Sequence, residues 1–123
     1  MMPLDLSDPI KKLSTISRIV SAYRWYLGTP EKPMRPKKFA AKLSLPLTDI
    51  GRILSPAHIR CWEKDFTIPH DEELDELIRC ADPGSWQRHF AQDMKAAKYP
   101  WKYAPKSEIG MRILGRDKPL TPD

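Results

Sequence analysis

The chain has 123 residues and a mass of 14.2 kDa, room for one compact core but not for a second domain. Hydrophobic residues make up 41% and charged residues 30%, as in an ordinary globular protein, and no apolar run approaches the about 20 residues that span a bilayer, so no membrane-spanning helix is expected. Lys+Arg 21 against Asp+Glu 16 gives a formal charge of +5 and a pI near 9.3, which favours an anionic partner such as nucleic acid or an acidic protein.

The charge is polarised along the chain. Lys32, Arg35, Lys37, Lys38 and Lys42 fall in a stretch without acids, whereas Asp71, Glu72, Glu73, Asp75, Glu76 and Asp82 crowd the segment after Pro69. Cys61 and Cys80 lie in helical patterns beside Trp62 and Ile78, with no Cys-x-x-Cys pair and no signal peptide, and read as buried, reduced thiols. His58, His70 and His89 are scattered, so no metal site is expected and no cofactor is implied. The expected compartment is the cytoplasm or the nucleoid within it.

The first element is an amphipathic helix over 9–27. Leu13, Ile16, Val20, Tyr23 and Leu27 form one stripe, Asp8 is its expected N-cap with Pro9 at the first helical position, and Gly28 with Pro30 stops it. A Gly-, Pro- and charge-rich loop leads to Pro36, where a short helix presents Phe39, Ala40 and Leu43 on one face and Lys37, Lys38 and Lys42 elsewhere. Pro46 opposes continuation past Leu45. Residues 48–54 fit either one helical turn or an irregular link, because Thr48 offers a cap while Gly51 sits mid-segment.

Ser55-Pro56 is the sharpest start signal: a Ser N-cap, Pro at the first helical position, then Ile59 and Trp62 on one face of a helix over 56–65. After an extended connector at Pro69, acids in the first turn suit the positive end of a helix whose buried stripe is Leu74, Leu77, Ile78 and Ala81. Asp82-Pro83-Gly84 ends it, and Ser85 starts a last helix with Trp86, Phe90 and Met94 spaced by four. Pro100, Pro105, Pro119 and Pro122 among basic residues predict a tail that is extended or disordered alone. The fold class expected is all-α: a compact bundle of about five helices containing a helix-turn-helix, with one domain over 9–97 and a basic tail over 98–123.

A helix that reads DNA must be anchored by apolar residues on one face and expose small or hydrogen-bonding groups on the other, towards its N-terminus. In the Ser55 helix, Ile59 and Trp62 supply the anchor and leave Ser55, Ala57, His58, Arg60 and Lys64 outward or bordering the groove. A guanidinium can hold guanine O6 and N7 together, so Arg60 is the best base reader by type, and Ala57 offers a methyl contact to thymine. Arg35, Lys37, Lys38, Lys42 and Lys64 are the expected phosphate contacts, with the start of the Pro36 helix acting as a clamp.

With those residues in view, the chain resembles the Cro/C1-type, or Xre-type, helix-turn-helix regulators over about residues 16–81. The likeness rests on the run from Ser55 through Ile59 and Trp62-Glu63, then Pro69, then Leu74, Leu77, Ile78 and Ala81; Phe39-Ala40-Ala41-Lys42-Leu43 is similar to the first helix of the motif. Two departures stand out: a long link over 44–54 replaces the family's short glycine turn, and Asp65 occupies the place of its usual Gly after Trp-Glu-x. The resemblance implies a lambda-repressor-like fold and sequence-specific binding of double-stranded DNA, often as a dimer, with Ser55, Ala57, His58 and Arg60 at base-reading positions.

Enzyme readings lack support, since there is no phosphate-cradling glycine loop and no Ser, His and carboxylate set with a distinguishing context; Glu63 and Asp65 read more simply as caps and surface. The alternative function is a helix-turn-helix-derived protein-interaction module that binds through the acidic residues 71–76 or the Pro-rich tail. Trp86 and Phe90, in the helix over 84–97, and the tail read either as core or as a homodimer or partner contact. Tyr99, Trp101 and Tyr103 could stack in a groove or stay solvated.

Overall fold

In the computed structural model, which describes residues 14–121, Ser14 begins the first helix among those residues. Its side chain accepts the Ser17 N–H at 3.1 Å, and its extended backbone, φ −67° and ψ 166°, turns into α1, Thr15–Leu27. The expected start at residue 9 is thus corrected to Thr15; Asp8, Pro9 and Leu13 lie outside the described residues. Ile16, Val20 and Tyr23 of the expected stripe are buried, together with Ile19, and Leu27 is half-buried. At Gly28 the basic loop folds back so closely that a Cβ there would lie 2.3 Å from the Lys32 carbonyl oxygen, which only glycine permits.

The elements that follow are α2 (Pro36–Ser44), a 3-10 helix (Leu45–Ile50), α3 (Pro56–Glu63), α4 (Asp71–Cys80), α5 (Trp86–Lys98) and α6 (Glu108–Leu114). No strand occurs among the described residues. Proline stands in the first turn of α2, the 3-10 helix and α3, where a missing N–H costs nothing. The open question over 48–54 resolves into the end of the 3-10 helix, a left-handed turn at Gly51 (φ 71°) and an extended lead into Ser55. The Ser55 helix stops at Glu63, two residues short of expectation.

Phe90 of α5 is the centre of the core. Its ring meets Tyr23 of α1 edge-on at 5.2 Å, Phe39 of α2 at 5.5 Å and Trp62 of α3 at 6.5 Å, so one side chain joins four helices. Leu43, Leu47, Ile59, Leu74, Leu77 and Met94 close around this cluster. Phe90 is fully buried, which takes it out of the proposed dimer surface and into packing, whereas Trp86 is half-buried against Phe39 and Tyr23. Cys61 and Cys80 are unpaired thiols but half-buried rather than fully so.

The tail is the main correction to the expected architecture. Residues 99–121 are neither extended nor separate: they fold back and add α6, a sixth α-helix among the described residues, which packs on α1 and α5. Ser107 caps α6 by accepting the Gly110 N–H at 3.1 Å, and Gly115 ends it in the left-handed region at φ 69°. The anchor is Asp93, wholly buried on α5, which accepts the Lys106 N–H at 2.6 Å, the Ser107 N–H at 3.2 Å, the Ser107 hydroxyl at 2.5 Å and the Tyr23 hydroxyl at 2.7 Å. A buried carboxylate persists when its lone pairs are filled, and here the tail supplies three of the four donors. Arg116 clasps the Ala96 and Tyr103 carbonyls at 2.7 and 3.0 Å, and the Leu120 N–H donates to Pro100 at 2.7 Å.

Candidate nucleic-acid interface

The α3 helix has one buried and one open side. Ile59 (0% exposed) and Trp62 (2%) turn into the core, while Ala57, His58, Arg60 and Lys64 are exposed and Ser55 is half-buried at the start. Ser55 and His58 form a capping box: the Ser55 side chain accepts the His58 N–H, and the Ser55 N–H donates to His58 Nδ1 at 2.9 Å. His58 was expected as a free base reader, and half of it is committed. With Nδ1 accepting the Ser55 N–H, only Nε2 is left to donate to a partner. Ser55 is likewise spent mainly on the cap.

Glu63 fixes α3 to α1, a role beyond the surface or capping position expected of it. One of its carboxylate oxygens pairs with Arg24 at 2.5 Å and the other accepts the Ser21 hydroxyl at 2.5 Å, while the Ser17 hydroxyl donates to the Glu63 carbonyl. Arg24 also donates to the Met34 carbonyl at 2.7 Å, and the Met34 N–H returns a bond to the Arg24 carbonyl at 2.8 Å. One arginine therefore ties the basic loop, α1 and α3 together. Because Arg24 and Glu63 are largely shielded, at 14% and 21% side-chain exposure, losing one partner would strand the other.

The long link does not part α2 from α3, which pack directly on each other. The Ser44 hydroxyl accepts the Leu54 N–H at 2.8 Å and donates to the Ala40 carbonyl at 2.8 Å, so the link closes at its base. Leu47 is fully buried as its anchor, and Arg52 pairs with Glu72 at 2.7 Å and with Glu76, fastening it to α4. The other departure, Asp65, adopts φ 61°, the conformation for which glycine is ordinarily chosen. Its carboxylate accepts the Ser14 N–H at 2.8 Å and the Ser14 hydroxyl, a reason for aspartate at this site. Ser44, Arg24 and Asp65 were missed in the sequence because each acts on a partner ten or more residues away.

The charges sort into two groups. Arg35, Lys37, Lys38 and Lys64 are exposed, Lys42 is half-buried, and among the described residues none of these, nor Arg60, stands in an ion pair. The acids of α4, by contrast, have partners within the chain. Asp71 is held by Lys98 at 2.5 Å and by the Tyr99 hydroxyl, Asp75 by Lys95 at 2.5 Å, and Glu72 and Glu76 by Arg52, while Glu73 accepts the His70 N–H at 3.0 Å. Hydrogen bonds from Lys98 and Tyr99 hold the Asp71 carboxyl below its usual range. Burial opposes the charge on Lys95, but Asp75 outweighs it and the ammonium is held above its ordinary value.

Of the three tail aromatics, Tyr99 and Tyr103 are half-buried against each other and Trp101 alone is exposed, at 54%. No helix among the described residues is long and apolar enough to cross a membrane. Comparison of the chain with protein families, with curated proteins and with solved structures returns no match.

Proposed function

We propose that this protein is a sequence-specific regulator that binds double-stranded DNA with the α2 and α3 pair as a helix-turn-helix of the Cro/C1 type. The observation that carries the reading is the outward side of α3. Arg60, Ala57 and the His58 Nε2 donor stand exposed there, backed by Ile59 and Trp62 in the core and bordered by cations without internal partners. In this reading Arg60 holds a guanine edge, Ala57 meets a thymine methyl, His58 donates one hydrogen bond, and Arg35, Lys37, Lys38, Lys42 and Lys64 contact phosphates. Such a protein would work where the DNA is, in the nucleoid, and a dimer would place two α3 helices on a palindromic site.

The test is selection of bound duplexes from a random pool, repeated at low and moderate salt. The expected result is one enriched motif and an affinity that falls steeply with salt, with a log–log slope of roughly one unit per phosphate neutralised. Failure to enrich any motif, or affinity indifferent to salt, would overturn the reading.

In the rival reading, a protein-interaction module, the acidic face would dock through carboxylates that already have partners within the chain, with Glu72 and Asp75 still 71% and 60% exposed. This reading has one observation in its favour: Leu45, Ile50 and Ile53 of the link are exposed, at 61%, 43% and 74%. A pool that yields no motif, with a protein partner captured instead through this link, would favour it.

A further inference from the structure

Between α4, α5 and the folded-back tail lies a cleft of about 550 Å3, within the size range of small-molecule sites and unconnected to the residues assigned to DNA. Its walls carry three ammonium groups, Lys95, Lys102 and Lys106, against one carboxylate, Asp75. Lys95 is 8% exposed and stays charged because Asp75 offsets its burial. The Tyr103 ring stands within reach of two of these cations, 5.0 Å from Lys95 and 5.3 Å from Lys102, while Ile78 and Pro119 supply apolar wall.

Asp75 cancels one of the three positive charges, which leaves an excess of two beside an aromatic and aliphatic surface. Lys102 and Lys106 are exposed and have no ion-pair partner among the described residues. A binder suited to this arrangement carries about two negative charges at one end and a flat, weakly polar body at the other. We infer that the cleft between α4, α5 and the tail binds a small organic phosphate with a planar body, of the mononucleotide class. Lys102 and Lys106 meet the phosphate, Lys95 supplies fixed positive charge behind them, and Ile78 and Pro119 receive the body beside the Tyr103 ring, which Lys102 uncovers as it turns to the phosphate.

The experiment titrates the full chain calorimetrically with adenosine monophosphate, adenosine and inorganic phosphate. Adenosine monophosphate is expected to bind more tightly than either fragment. The Lys102→Ala/Lys106→Ala variant should weaken it by at least about tenfold, the scale of one lost hydrogen bond to a charged group. Alanine at 106 keeps the backbone N–H that Asp93 accepts, so the tail stays docked, and an unchanged thermal melt checks this. Adenosine binding as well as its monophosphate, inorganic phosphate binding as well as the nucleotide, or indifference to the double variant would each overturn the assignment. So would loss of nucleotide binding in Arg60→Ala, which would place it on α3 instead.

Discussion

Ser44 and Leu54, ten residues apart, close the link between the two central helices through one hydroxyl: it accepts the Leu54 N–H at 2.8 Å and reaches the Leu54 carbonyl at 3.3 Å. Both residues are buried, at 5% and 2% exposure, so water cannot take over these bonds. Ser44→Ala is expected to cost about 1–3 kcal/mol, the penalty for an orphaned buried donor, as measured by urea denaturation. A loss under about 0.5 kcal/mol would mean that the link is held by Leu47 and Arg52 alone.

Asp65 combines a left-handed backbone with a carboxylate that ties down Ser14. Asp65→Asn keeps tolerance for the conformation and one acceptor, and should stay within about 0.5 kcal/mol of the parent. Asp65→Ala loses both and should cost about 1–2 kcal/mol in the same denaturation assay. Equal stability of the two variants would show that neither the φ nor the Ser14 contact contributes.

At Gly110 two effects of opposite sign compete. Alanine in a helix interior is favoured over glycine by about 1 kcal/mol, yet a Cβ here would lie 2.4 Å from the Asp93 carboxyl carbon. Asp93 is enclosed and cannot retreat, so Gly110→Ala is expected to destabilise and to loosen residues 99–121. Limited proteolysis should cut the variant's tail well before the parent's; equal protection would show that α6 does not press on Asp93 as described.

Tyr23 carries a pH dependence whose sign follows from its surroundings. Burial first, and then the neighbouring Asp93 charge, raise the phenol well above its ordinary value of 10.0. Because the folded value is the higher one, its contribution is fully present below pH 10 and is lost as pH rises beyond it, when the unfolded chain releases the proton and the folded one keeps it. Stability should therefore decline above about pH 10, and Tyr23→Phe should flatten that decline while costing stability at neutral pH. Asp71 gives the opposite limb. Its depressed carboxyl stabilises above about pH 4 and loses that contribution as pH falls through the lower folded value, a slope that Asp71→Asn should remove.

Arg60→Ala separates reading from gripping. A lost bidentate contact should cost about 1–3 kcal/mol on the preferred duplex and little on random DNA, whereas Lys38→Ala should weaken both alike and reduce the salt slope by about one. Fluorescence titration against both duplexes measures this. An Arg60→Ala variant that keeps its preference would remove that residue from the reading surface.

Local signals in the sequence carried most of the helical architecture. Ser55-Pro56 and Ser85 mark true starts because a cap and its recipient N–H lie within one turn, and the stripes of α1, α4 and α5 turn inward as their spacing predicts. The stripe from Ile16 to Leu27 gave no sign of where its helix begins: Ser14 caps it at Thr15, held by Asp65 from fifty-one residues away. The tail was misjudged on its proline content. Ser107, the pair Ile109 and Ile113, and Gly115 spelled out a short helix, but a seven-residue helix gains its stability from a surface to dock on, and that surface belongs to α1 and α5. The outward face of α3 was legible from Ile59 and Trp62 alone. The spending of Ser55 and His58 on each other was not, because a histidine capping partner has no spacing of its own to distinguish it.

Asp93 also separates two parts of the fold by what each needs in order to settle. The rings of Tyr23, Phe39, Trp62 and Phe90 can close on one another without the tail, whereas before residues 106–110 dock the Asp93 carboxylate has only the Tyr23 hydroxyl among its partners. A chain cut ahead of Lys106 would therefore keep its aromatic centre and lose three of the four donors to Asp93, leaving that carboxylate to water on the flank of α5.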